Sequence, residues 1–295
     1  MDNGIDLDIN QIFEYARKGV IRASAFSGAV LNEKNNFNIK QWRIFEQYEL
    51  IPEPVNNEET INEFKSFVVH NSLCEMMSLF EKTLTELYKK IYYLNCYNER
   101  KIYDEKIANN LTKKFSGRDF PKKIKIISRL LRNIKSNKNL WENLKYVRNC
   151  VAHNNSLVNK GEIKLKIKAF TCKMVDQITK EEYYFTPDNP IHKIQNMAGH
   201  TIQCSIKLEE KEKIFYQGDK IKFSPQEIAF LFYTMLESIN ELYRAFLIYL
   251  IEQGMQIKLP GNDKLITTKE ELIKFWKNEK QEVHLSLNAM DNDLN

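Results

Sequence analysis

VHNSLCEMMSLFEKTLTELYKKIYYL, residues Val69 to Leu94, decides the fold. Apolar side chains stand at Val69, Leu73, Met76, Phe80, Leu84, Leu87 and Ile91. Steps of three and four residues match the α-helical period, so these side chains form one stripe along roughly six turns. A stripe that long must be covered by other elements. We read one helix from about Thr60 to Leu94 and a bundle around it.

Upstream, residues 8–31 place Ile9, Ile12, Phe13, Ala16, Val20 and Ile21 at helical spacing. A short helical piece is expected near Lys40–Tyr48, followed by the breaker Ile51-Pro52-Glu53-Pro54. Downstream, the spacing predicts helices over Lys101–Phe115, Pro121–Ile134 and Asn139 to about Ala152. Pro121 suits a first helical position, where its missing N–H would have no intrahelical partner anyway. The period then changes. Gly161–Lys168 alternates strictly, as a half-buried strand does. Tyr183–Phe185, Thr201–Leu208, Lys213–Tyr216 and Lys220–Phe223 read as further strands, with Gln217-Gly218-Asp219 as a hairpin turn. Helix resumes at Ser224-Pro225-Gln226-Glu227, a capping box with Pro at the first helical position. It continues through Ile228, Leu231, Phe232, Met235, Ile239, Leu242, Phe246 and Leu250 to a Gly254 cap. A short helix, Lys269–Asn278, precedes a polar tail.

The expected fold is mainly α, a helical bundle with a small antiparallel β insertion before the last core helix. Residues 1–57 form an N-terminal helical extension, 58–253 the bundle with its insertion at about 161–223, and 254–295 a C-terminal helix and tail.

Composition excludes several classes. With 43% apolar residues in 295, the chain can bury a core and is not disordered. The longest apolar stretch, Ile228–Ile251, is interrupted by Glu237, Asn240, Glu241 and Arg244, so no membrane association is expected. Met1-Asp2-Asn3-Gly4 begins no signal peptide, which makes the cytoplasm the expected compartment. Cys74, Cys96, Cys150, Cys172 and Cys204 are scattered and imply neither disulfides nor zinc. His70, His153, His192, His200 and His284 show no metal-ligand spacing, and no glycine-rich phosphate loop exists. Neither metal nor cofactor is expected. His70, His192 and His200 read as ordinary residues, and Cys150 as a small buried hydrophobe.

Charge is concentrated. Lys113–Arg148 holds twelve Lys or Arg against Asp119 and Glu142, a balance of +10 in a chain of net +5. The remainder is therefore acidic, and the patch is an electrostatic footprint for a polyanion. Within it, Lys122, Lys125, Arg129 and Arg132 fall in an arc of about 80° on a helical wheel, opposite Ile127, Leu131 and Ile134. No acids interleave, so the stripe is either a solvated face or a contact for RNA phosphates.

The sharpest local signal is Arg148-Asn149-Cys150-Val151-Ala152-His153, at the end of a helix whose Leu140, Leu144, Val147 and Val151 share a face. Histidine titrates near neutral pH and can take or give a proton. A guanidinium can grip two phosphate oxygens and stabilise transition-state charge. Asn149 could orient either group. RNA brings its own nucleophile, the 2′-OH. Five residues correspond to about 140° of rotation, so Arg148 and His153 converge only if the helix ends or bends between them. Asn154-Asn155-Ser156 suggests such an ending.

These six residues resemble the motif of the HEPN superfamily of helical ribonucleases: Arg, a polar residue, a few spacers, then His near the end of a bundle helix. Arg148, Asn149 and His153 match its positions, and the likeness extends over about residues 60–253. The resemblance implies a metal-independent endoribonuclease acting on tRNA or mRNA, with Arg148, Asn149 and His153 catalytic. It implies a homodimer with two motifs facing across a cleft, and a role in toxin–antitoxin, abortive-infection or antiviral defence with an antitoxin or regulatory partner. HEPN sites often recruit an acid from the long helix, which makes Glu81 a candidate beside its plainer reading as a solvated residue. One departure is Asn155, which stands where toxins silenced by a nucleotidyltransferase antitoxin carry Tyr. That argues against control by such modification. The rival readings are a non-catalytic HEPN-like module binding RNA, nucleotide or protein, and a structural subunit of a defence assembly.

Overall fold

The Val69–Ile91 stripe becomes the buried face of a helix of 42 residues, α2 (Asn57–Asn98), with all seven apolar positions buried. Each large apolar side chain so buried contributes about 2 kcal/mol. That outweighs the few tenths of a kcal/mol by which its Thr, Tyr and Phe residues disfavour helix. The helix runs a turn past Leu94 because its end is tied to a later one: Tyr249 Oη donates to Asn95 Oδ1 (2.9 Å) and Asn98 Nδ2 to Gln253 Oε1 (2.8 Å).

The computed structural model describes residues 9–31, 57–99, 103–132, 134, 138–176, 178–185, 202–259 and 264–281. Besides α2 these form α1 (Ile9–Leu31), α3 (Glu105–Ser116), α4 (Phe120–Leu131), α5 (Lys138–His153), β1 (Glu162–Asp176), β2 (Glu182–Phe185), β3 (Ile202–Tyr216), α6 (Pro225–Glu252) and α7 (Lys269–Gln281). The chain is mainly α with one small antiparallel sheet. The helical piece read near Lys40–Tyr48, and His192, His200 and His284, lie outside the described residues. No described helix is long and apolar enough to cross a membrane.

α1 packs along both α2 and α6. Ala16, Gly19, Ala23 and Ser27 are buried, and a methyl group at Gly19 would lie 3.0 Å from Leu79 Cδ1. Small residues let the two backbones approach closely. On α6, Phe13 meets the Tyr243 ring edge-on at 5.2 Å. Residues 9–31 thus share one core with the bundle. α6 starts as its sequence requires: Ser224 Oγ accepts from the Glu227 N–H (3.2 Å), and Glu227 Oε2 accepts from the Ser224 N–H (2.8 Å).

The sheet has the order β2-β1-β3, all antiparallel, with β1 and β3 paired from Glu162↔Tyr216 to Asp176↔Ile202. Ile163, Leu165 and Ile167 point into the core while Lys164 and Lys166 face out, as the alternation demands. β1 is docked by Thr234 Oγ1 of α6, which accepts from the Lys168 N–H (2.6 Å), and by Asn143 Nδ2 of α5, which donates to the Lys164 carbonyl (2.8 Å). Two expectations are corrected. The segments read as separate strands before and after Glu209-Glu210-Lys211-Glu212 form the single strand β3. That charged run hides the alternation, yet it pairs with β1 and Glu210 meets Lys166 at 2.9 Å. Lys220–Phe223 is not a strand. After the turn at Gly218 (φ 91°) the chain leaves the sheet, making one bridge, Lys220 with Leu157, before entering α6.

Candidate active site

α5 docks antiparallel to α2. Leu140, Trp141, Leu144, Val147 and Cys150 are its buried residues, with Cys150 rather than Val151 completing the face. The Trp141 ring lies 5.2 Å from Phe80, Lys145 reaches Glu81, and beyond the helix end Ser156 reaches His70. From the Trp141–Lys145 level beside Phe80 and Glu81, the chain thus runs to Ser156 beside His70, toward the start of α2. Arg148 falls between these contacts, close enough to Cys74 for its charge to be felt. Burial pushes the Cys74 thiol up, and Arg148 followed by Lys145 opposes the rise.

Arg148 is half-buried, and its Nη1 donates to Asn149 Oδ1 at 3.2 Å. Its Nε is buried without a hydrogen-bond partner among the described residues. An unsatisfied buried donor costs about 1–3 kcal/mol. His153 is the last residue of α5 and is exposed. The helix does not end between the two residues, contrary to expectation. The Asn154 N–H still reaches the Cys150 carbonyl at 3.0 Å, so helical bonding continues past His153. On an unbroken helix the two residues stand about 140° apart and about 7.5 Å along the axis. They face different sides of one chain.

Termination comes just after His153, and without glycine. Asn155 (φ 50°) and Ser156 (φ 65°) are consecutive left-handed residues. Asn adopts that region readily, while other non-glycine residues pay roughly 1–2 kcal/mol. Contacts to Ser156 hold the turn. Its N–H donates to the Cys150 carbonyl (3.0 Å), its carbonyl accepts from the Ile221 N–H (2.7 Å), and its Oγ lies 3.2 Å from His70 Nδ1. The following loop is pinned by Tyr146 Oη, which donates to the Lys160 carbonyl at 2.6 Å. His70 is half-buried on α2 and belongs to this region. Burial first, then the nearby Lys220, lowers its pKa below the ordinary 6.5, while a hydrogen bond with the Ile221 backbone opposes them. The sequence offered no sign of this, because the partner lies 86 residues away.

Glu81 is occupied elsewhere. Its carboxylate accepts from Lys145 and, at 3.2 Å, from the buried Lys123, joining α2, α5 and α4. Burial would raise its pKa, but these hydrogen bonds and charges, Lys145 ahead of Lys123, hold it below the ordinary carboxylate range.

Lys122, Lys125, Arg129 and Arg132 are all exposed, opposite buried Ile124, Ile127 and Leu131. Lys122 pairs with the N-cap Asp119 at 2.7 Å. Arg129 and Arg132 line a cleft of about 560 Å3 with Asn95, Tyr249 and Glu252. His70 and Asn95 are 25 residues apart on α2, about 37 Å at 1.5 Å per residue. The stripe therefore runs away from the α5 terminus rather than beside it.

No protein-family model matches the chain, and no curated protein or solved structure matches it either. Function rests on the site itself.

Proposed function

We propose that this protein is a metal-independent endoribonuclease of the HEPN kind, with Arg148 gripping the scissile phosphate and His153 moving protons. The observation that carries the reading is an exposed helix-end His153 on the same helix as a half-buried Arg148 whose hydrogen bond goes to a neutral partner, Asn149, which leaves the guanidinium charge for an anion. A phosphate oxygen is an acceptor of the right charge and geometry for a guanidinium. Asn149, bonded to Arg148 Nη1, holds the guanidinium in place.

Because Arg148 and His153 face different sides of α5, the working site is shared between two copies, each supplying one imidazole. One imidazole removes the 2′-OH proton as that oxygen attacks phosphorus. The bond to the 5′-oxygen breaks, and the second imidazole, protonated, gives its proton to the leaving oxygen. The products are a 2′,3′-cyclic phosphate and a 5′-OH. By this reading the natural setting is a toxin or antiviral-defence effector.

The divergence of Arg148 and His153 within one chain equally suits a non-catalytic module that binds RNA. Incubation of RNA with the protein in EDTA separates the two. Cleavage with cyclic-phosphate ends, blocked by a 2′-deoxy at the cut site, supports the nuclease. Salt-dependent binding without cleavage supports the binding module.

A further inference from the structure

We propose that His70 is a positioning residue for the α5 terminus: through Ser156 it holds the left-handed turn that fixes where His153 points. The inference rests on the nuclease reading only in its activity arm.

The argument starts from strain. Two consecutive left-handed residues, neither glycine, end α5 at Asn155 and Ser156. Such backbone persists where surrounding contacts over-determine it. Those contacts converge on Ser156, three residues from His153, from three directions: α5 itself through Cys150, the β3–α6 connector through Ile221, and α2 through His70. Only the last is a side-chain contact, so substitution can remove it without touching the backbone bonds.

Ile221, whose N–H donates to the Ser156 carbonyl, also lies near enough to His70 to bear on its pKa, so the imidazole stands where the connector and the α5 turn meet the long helix. A neutral ring suits this task, offering one donor and one acceptor. The charged group facing it from the connector is Lys220, which disfavours a proton there. Lys220 in turn shares a cleft with Glu58, Glu59, Glu63 and Ser66 of α2. From the turn after α5 the facing side chain is the hydroxyl of Ser156, and Cys74 stands one turn further along α2. Without the ring, helical bonding through Asn154 would no longer be backed by a fixed turn, and the last turn of α5, with His153, would fray.

The test compares wild type with His70→Ala, Ser156→Ala and His70→Asn in the full chain. Asn carries a polar group where Nδ1 lies and can keep the Ser156 contact. Amide exchange should rise about tenfold at Ser156 and Ile221 in the two alanine variants, the effect of one lost hydrogen bond. It should stay unchanged at Leu144 and Val147, and His70→Asn should restore it. In RNA cleavage, kcat should fall in the alanine variants with KM little changed. Unchanged exchange at Ser156 in His70→Ala overturns the proposal. Faster exchange with unchanged kcat also overturns it, because the turn would then not serve His153. If wild type cleaves no RNA, the His153 imidazole NMR signal decides. A line shape altered by His70→Ala and restored by His70→Asn supports positioning, and an unaltered one refutes it.

Discussion

Arg148 and His153 lie on one uninterrupted helix, five residues apart, and face sides of α5 separated by about 140°. Were cleavage to need both at one phosphate, the second partner would come from another copy. Because the shared site uses the imidazole of each copy, a heterodimer of wild type with His153→Ala should be as inactive as the His153→Ala homodimer, and mixing Arg148→Ala with His153→Ala protein should restore nothing. Activity that tracks the fully intact chain alone, from a species sedimenting as a monomer, would argue that each copy works by itself.

Glu81 supports the fold through Lys123 and Lys145. Glu81→Ala leaves the buried Lys123 without its counter-charge, which should cost about 3 kcal/mol in urea unfolding. Because the Glu81 carboxyl is held below its ordinary range in the fold, its stabilisation is present above that range and lost as pH falls through the lowered value. The stability gap between wild type and Glu81→Gln should therefore narrow toward acid. A gap constant from neutral pH to acid would contradict the triad's role.

His70 gives a separate pH signature. Its folded pKa lies below the ordinary 6.5, so the stability it contributes is complete above about that pH and declines as pH falls through the lowered value. Thermal unfolding of His70→Asn should lack this component, so the wild-type curve should fall away from the variant's as pH drops below about 6.5. Parallel curves would mean that the imidazole is as easily protonated in the fold as outside it.

Much of this arrangement was legible in the sequence. The α2 stripe, the Ser224–Glu227 capping box and the Ile163–Leu165–Ile167 alternation each follow a local period, and each stands where expected. β3 was harder, because Glu209–Glu212 carries no apolar side chain on either face to mark the period. The helix end stands within a residue of its expected place, but the left-handed turn at Asn155 and Ser156 was not legible, since residues far away in the chain, His70 and Ile221, hold it. Lys123, counted with the basic patch, is buried against Glu81 because its neighbour Ile124 turns that side of α4 inward.

The exposed stripe on α4 should bind RNA backbone without reading bases. Lys125→Glu with Arg129→Glu should weaken RNA binding across all sequences, leave the unfolding midpoint nearly unchanged, and flatten the log–log salt dependence by about 0.7 per lost contact. Salt dependence identical to wild type would make the stripe an ordinary solvated face.

The most direct test of the central claim is cleavage of single-stranded RNA in EDTA by wild type and by His153→Ala, with circular dichroism of both. His153 is exposed at the end of α5, outside the face that docks the helix, so the variant should fold as wild type does. Wild type should release 2′,3′-cyclic phosphate ends, and the variant's rate should fall by at least about 100-fold, the lower range for loss of a general acid or base. Equal cleavage by the two proteins would contradict the assignment of His153 as the proton carrier.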